Sequence, residues 1–149
     1  MSYLDPYLEP ASLQKTLDEC KQRIKHLTFD SIAVRGTSGL LVGAPLAASM
    51  GKHLIIVRKD SDKSHSKERV EGWGFRQRIL IVDDFIETGN TIDYIYEGIV
   101  ETCDDYKIVG ILLYANPMNR GDNTGYSHPD GTFFKVYSVE RRTLPVRSR

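Results

Sequence analysis

The chain lacks any apolar run near the ~20 residues that a membrane-spanning helix needs, and no basic-then-apolar leader opens it. The expectation is therefore a cytoplasmic protein with neither a membrane span nor a secretory signal. Cysteine is nearly absent. Cys20 and Cys103 are the only two, both inside helical patterns and outside any CxxC arrangement, so they read as packed thiols rather than metal ligands or a disulfide. Net charge is also missing: 20 Lys and Arg balance 20 Asp and Glu, which argues against non-specific nucleic-acid binding as a main role. No GxxxxGK[ST] loop occurs, so a Walker-type nucleotide site is excluded. There is no internal repeat and no linker. At 149 residues, 40% hydrophobic and 27% charged, the chain fits one domain with one core, residues 1–149, and leaves no room for a second catalytic domain.

What is present alternates between helix and strand signals. Leu13, Leu17, Cys20, Ile24 and Leu27 recur at helical spacing behind Ser12, the expected N-cap, and predict an amphipathic first helix. Residues 31–34 read as a strand ending in a tight loop at residues 35–39. Residues 40–50 read as a small apolar helix stopped by Gly51 in spite of Pro45, and residues 53–57 as a second strand. Residues 58–74 are polar and aperiodic, long for a structureless connection, with Trp73 and Phe75 expected to anchor its return. Ile92, Ile95, Tyr96, Ile99, Val100 and Cys103 outline another helical face, followed by strands at 107–114 and 133–139 and a basic tail from Arg141 expected to fray. Such alternation implies right-handed crossovers and a mostly parallel sheet flanked by helices, an α/β fold.

The balanced charge is unevenly placed. Residues 83–105 hold eight acids and no Lys or Arg, whereas residues 58–69 hold five basic residues, His65 and three acids. Asp93, Glu97 and Glu101 lie four apart, a like-charged helix stripe expected to be a solvated face, the alternative being a basic segment docked against it.

One segment carries chemistry. Residues 79–91 read Ile-Leu-Ile-Val-Asp-Asp-Phe-Ile-Glu-Thr-Gly-Asn-Thr. The apolar run suits a strand covered on both faces, and it delivers Asp83 and Asp84 to the carboxyl end, where open α/β sheets bind ligands. Glu87, Thr88, Gly89, Asn90 and Thr91 then form a turn rich in hydroxyls and backbone N–H groups directly before a helix, an arrangement that holds a phosphate. Vicinal hydroxyls for the acids and a phosphate a little further on describe a ribose 5-phosphate. The competing reading is a helix-capping turn, or the magnesium site of a P-loop protein whose loop is missing here.

On these thirteen positions the chain resembles the PRPP (phosphoribosyl pyrophosphate) signature of the type I phosphoribosyltransferases. Residues 34–47, Val-Arg-Gly-Thr-Ser-Gly-Leu-Leu-Val-Gly-Ala-Pro-Leu-Ala, look like the adenine and orotate branches of that family, and the resemblance covers roughly residues 28–115. It implies a Rossmann-like phosphoribosyltransferase fold with a small hood built from residues 1–10, with Tyr3 and Tyr7, and 116–139. It implies Mg²⁺, held at Asp83 and Asp84, which would also meet the ribose hydroxyls. Thr88, Gly89, Asn90 and Thr91 would cradle the 5-phosphate. Arg35, Gly36, Thr37, Ser38 and Gly39, with Arg58 and Lys59, would take the pyrophosphate, and the mobile loop after them would add His65, Lys67 and Arg69. Glu87 departs from the small or hydroxyl residue usual at its position; it resembles the acid that the hypoxanthine and guanine branch places near N7 of the base, and so reads as a proton acceptor. The implied partners are PRPP, a nucleobase-like acceptor and a second copy of the chain. The acceptor stays open, as does the alternative of a PRPP-binding regulatory or assembly protein without turnover.

Overall fold

The computed structural model describes residues 2–59, 69–72, 78–117 and 125–142. His65, Lys67, Trp73 and Phe75, to which the sequence reading assigns roles, lie outside them. Helix α1, Pro10–Ile24, starts ahead of the expected cap: Glu9 is the N-cap and Pro10 takes the first helical position, where a missing N–H is harmless. Ser12 lies inside the helix, its carbonyl accepting a hydrogen bond from Thr16 Oγ1 at 3.0 Å. Strand β1, Ser31–Val34, runs into helix α2, Gly36–Met50. The expected loop at residues 35–39 is thus almost entirely the first turn of α2. Gly51 ends that helix at φ +66°, and the N–H of Lys52 returns to the Ala47 carbonyl at 2.9 Å, as a left-handed C-cap requires.

Strands β2, His53–Val57, β3, Val70–Glu71, and β4, Arg78–Asp83, precede helix α3, Asn90–Thr102; β5, Lys107–Asn116, β6, Gly125–Ser127, and β7, Phe133–Glu140, follow it. Together the strands form a seven-stranded sheet in the order β3-β2-β1-β4-β5-β7-β6. The five inner strands are parallel, and β3 and β6 close the edges antiparallel.

Alternation along the strands builds a core on each face. Ile32, Val34, Leu80 and Val82 pack with α1 and α2, whereas Ala33, Ile79 and Ile81 pack with α3. Helix α2 lies tight against the sheet because it turns glycine toward it. A Cβ at Gly39 would come within 3.1 Å of Val34 Cβ, and one at Gly43 would collide with Val34 Cγ1.

The chain leaves β1 toward β2 and leaves β4 toward β5, so adjacent strands send their connections in opposite directions. A crevice opens at their carboxyl ends. Of the basic tail only Arg141 and Arg142 lie among the described residues, and both are held. Arg141 N–H bonds to the Asn116 carbonyl at 2.9 Å, and Arg142 donates to Tyr7, Thr16 and Glu19. Tyr7, expected in a hood, is fully buried in the core. Among the described residues no helix is long and apolar enough to cross a membrane.

Candidate active site

Because β1 and β4 end side by side, the residues just past them share one cleft of about 230 Å³. Asp83 closes β4 and Asp84 follows it; they are 3% and 7% exposed, which is unusual for two adjacent acids. Asp84 is engaged on both oxygens. Oδ1 accepts the Phe85 N–H at 2.7 Å, and Oδ2 accepts the hydroxyl of Tyr3. The Tyr3 ring meets Phe85 edge-on at 5.6 Å, and the Arg141 guanidinium lies 5.3 Å and 4.9 Å from the two rings. Burial, then the neighbouring charge of Asp84, holds the Asp83 carboxyl well above the ordinary range, with Lys59 pulling it back. Two buried carboxyl groups in contact favour a shared proton or a cation.

The opposite wall is cationic. The first turn of α2 begins at Gly36 with φ +75°, and a Cβ there would lie 2.9 Å from Lys59 Cε, so glycine is what lets the lysine cross the turn. Arg35, the N-cap of α2, places its guanidinium 4.4 Å over the ring of Tyr94 on α3. Neither α2 nor α3 has a side-chain cap at its N-cap residue, which leaves N–H groups of both first turns for a ligand. At α3 the N-cap is Gly89, at φ +87°, and Thr88 Oγ1 accepts the Asn90 N–H at 3.3 Å.

The structure brings Arg35, Ser38, Lys59, Asp83, Asp84 and the whole of residues 87–91 into this cleft. It does not bring all the rest. Gly36, Thr37 and Gly39 belong to the first turn of α2 without lining the cleft: Gly36 lies under Lys59, Gly39 is packed on Val34, and Thr37 is exposed. Arg58, expected beside Lys59 on the pyrophosphate, is turned away and pairs with Glu71 at 3.2 Å, because β3 returns alongside β2 and offers it a carboxylate. Arg69, offered as a loop contact, instead pairs with Glu101 at 2.9 Å.

The acidic stripe of α3 is paired within the chain, although the Glu97 and Glu101 side chains stay 44% and 59% exposed. Arg69, His128 and Tyr126 of the same chain cover Glu101, Glu97 and Asp93 in turn. Sequence reasoning missed Phe85 and Ile86 as cleft residues, although they stand inside the motif, and it missed the Tyr3 contact with Asp84. Nothing local signals a partner 81 positions away.

No family model matches the chain. Among curated proteins it is similar to the adenine phosphoribosyltransferase of Ureaplasma parvum, 32% identical over 101 residues, 58% of each chain. It is also similar to that of Aliivibrio fischeri, 29% identical over 88% of this chain and 78% of that one. Of solved structures, the orotate phosphoribosyltransferase from Aeropyrum pernix superposes with a TM-score of 0.67 at 23% identity, over 89% of this chain and 72% of that one. Adenine phosphoribosyltransferase from Thermoanaerobacter pseudethanolicus gives 0.64 at 19%, over 89% and 81%. The chain has the fold of these phosphoribosyltransferases. The chain spans 58% of the length of the first curated relatives it matches. The curated relatives are adenine phosphoribosyltransferases, whereas the solved structures include both adenine and orotate phosphoribosyltransferases.

Proposed function

We propose that this chain is a magnesium-dependent phosphoribosyltransferase of the cytoplasm, working as a homodimer, that transfers ribose 5-phosphate from PRPP to a purine or orotate-like nucleobase. The observation that carries this reading is the convergence, in one switch-point cleft, of a buried acid pair, an uncapped hydroxyl-rich turn and two cationic side chains. Those features match the three parts of PRPP. The turn at residues 88–91 would take the 5-phosphate, Asp83 and Asp84 the ribose hydroxyls, and Arg35, Ser38 and Lys59 the pyrophosphate.

In the reaction the bond from ribose C1 to a pyrophosphate oxygen breaks, a bond from C1 to the acceptor nitrogen forms, and that nitrogen's proton passes to a base. Glu87 is positioned on the cleft wall for this last task. Positive charge builds at C1 as pyrophosphate departs, and the buried carboxyl pair stabilises it while the cationic wall holds the leaving anion. Mg²⁺ fits this donor set. The carboxyl oxygens of Asp83 and Asp84 would help hold it, together with substrate oxygens and water, as hard oxygen donors suit this ion. Among the described residues no group of three or more His, Cys, Asp or Glu forms an all-protein cage, consistent with an ion that arrives with its substrate. Bound there, it would neutralise leaving-group charge.

The deciding experiment measures pyrophosphate release from PRPP and Mg²⁺ across a panel of purines and pyrimidines, with and without acceptor. Release that depends on one acceptor, and loss of PRPP binding in a folded Asp83→Asn, Asp84→Asn variant, are the expected results. PRPP binding without turnover on any base would favour the non-catalytic alternative. Undiminished PRPP binding by the double variant would remove the acid pair from the site.

A further inference from the structure

Behind the turn at residues 88–91, on the side away from the cleft, lies a contact that neither the motif nor the proposed reaction uses. Asp93 stands one turn into α3, its N–H bonded to the Gly89 carbonyl at 2.9 Å. An acid in a first turn suits a helix whose N-terminus is empty, but it repels a dianion bound to those same N–H groups. No Lys or Arg between residues 83 and 105 offsets it. Tyr126 does what a cation might have done. Its hydroxyl donates to Asp93 Oδ1 at 2.6 Å and lies 3.3 Å from the Gly89 carbonyl. Its ring fills the volume that a side chain at Gly89 would occupy, so the same residue backs the left-handed glycine on which the turn depends.

We infer that Tyr126 is a positioning residue for phosphate binding: it draws the Asp93 carboxylate back from the turn and braces Gly89, so that the turn accepts a dianion despite an acid beside it. The inference rests on the reading of residues 88–91 as the phosphate turn. Burial and the hydrogen bond to Asp93 push the Tyr126 hydroxyl up to about 12, which keeps it a donor at physiological pH. His128 stands 4.0 Å from the same carboxylate through Nε2 and makes its own contact with Glu97 at 3.1 Å, leaving Tyr126 as the near partner of Asp93.

The test is calorimetry of ribose 5-phosphate binding to the full chain as wild type, Tyr126→Phe, Asp93→Asn and the double variant. Phenylalanine keeps the ring against Gly89 and removes only the hydroxyl, so Tyr126→Phe should weaken binding by about 5- to 10-fold, the scale of one hydrogen bond to a charged group. Asp93→Asn should bind at least as tightly as wild type, and the double variant should fall within about 2-fold of Asp93→Asn, since without the charge there is nothing to mask. A purely structural role for the hydroxyl would leave the double variant as weak as Tyr126→Phe, and that result overturns the inference, as does wild-type affinity in Tyr126→Phe. If Tyr126→Phe does not fold, Asp93→Asn decides: binding weaker than wild type sinks the masking role. A wild-type chain that does not bind ribose 5-phosphate would instead remove the phosphate turn, and the inference with it.

Discussion

Glu87 and the acid pair are all carboxylic acids of one loop, yet their surroundings divide their work. Asp83 and Asp84 are buried, whereas Glu87 is exposed on the cleft wall and makes no hydrogen bond among the described residues. In the proposed reaction a carboxylate beside the phosphate turn would be repelled by the phosphate, so its productive direction would be toward the acceptor nitrogen. Glu87→Gln should therefore lower kcat by about 100-fold with PRPP affinity nearly unchanged, the usual cost of removing a general base. Steady-state kinetics with the true acceptor and PRPP titration of the same variant read this directly. Wild-type turnover would clear Glu87 of the role, and lost PRPP affinity alone would place it in the architecture of the turn. At this scale most of the cleft lining was legible, since the acids and the turn share one short segment, Arg35 and Ser38 a second, and Lys59 stands just past β2. The Arg58 pairing with Glu71 was not legible, because adjacency to Lys59 says nothing about the carboxylate that β3 brings to it.

Short elements were legible where an apolar run marks them, as β1 and β2 were at their observed bounds. Helix α3 was legible to within two residues and α1 to within three, while β3 and β6, with two and three residues, gave no pattern to read. The small hairpin of β6 and β7 matters because it covers α3. His128, 8% exposed, sits at its corner with Nε2 3.1 Å from Glu97 and Nδ1 3.1 Å from Asp130. Burial alone would lower the imidazole pKa below 6.5, but the hydrogen bonds to Glu97 and Asp130 and the charges of Asp130 and Asp93 outweigh it, and the net shift is upward. A folded pKa above the unfolded value means that the stabilisation is complete below the unfolded value and is lost as pH rises through the folded one. The stability difference between wild type and His128→Gln, taken from urea midpoints, should accordingly be larger at about pH 5.5 than at about pH 9. A difference that stays level or grows with pH would show that the ring is neutral in the folded protein.

Across the whole molecule the two ends of the described chain meet, which no local pattern announces. Tyr7 packs edge-on against Tyr114 at 5.2 Å in the core, and its hydroxyl accepts the Arg142 N–H at 3.0 Å. The Arg142 side chain then crosses to α1, with Nε 2.6 Å from Thr16 Oγ1 and Nη2 2.6 Å from Glu19. Arg141 beside it lies over Tyr3 and Phe85, so this junction borders the acid pair. The tail was expected to fray from Arg141 onward as chain ends do, and no local pattern reveals that the buried Thr16 hydroxyl 126 positions away takes the Arg142 donor. Glu19 is 41% exposed, so its ion pair contributes little by itself; the weight falls on Thr16, fully buried, whose oxygen would lose its donor. Arg142→Met keeps much of the apolar stem and removes both side-chain hydrogen bonds. It should cost about 1–3 kcal/mol in urea unfolding, within the range for stranding a buried acceptor. Thr16→Val in the same background should then cost little more, because the group left unsatisfied is gone. A loss below about 0.5 kcal/mol for Arg142→Met, the level of an ordinary surface change, would show that the two ends touch without holding each other.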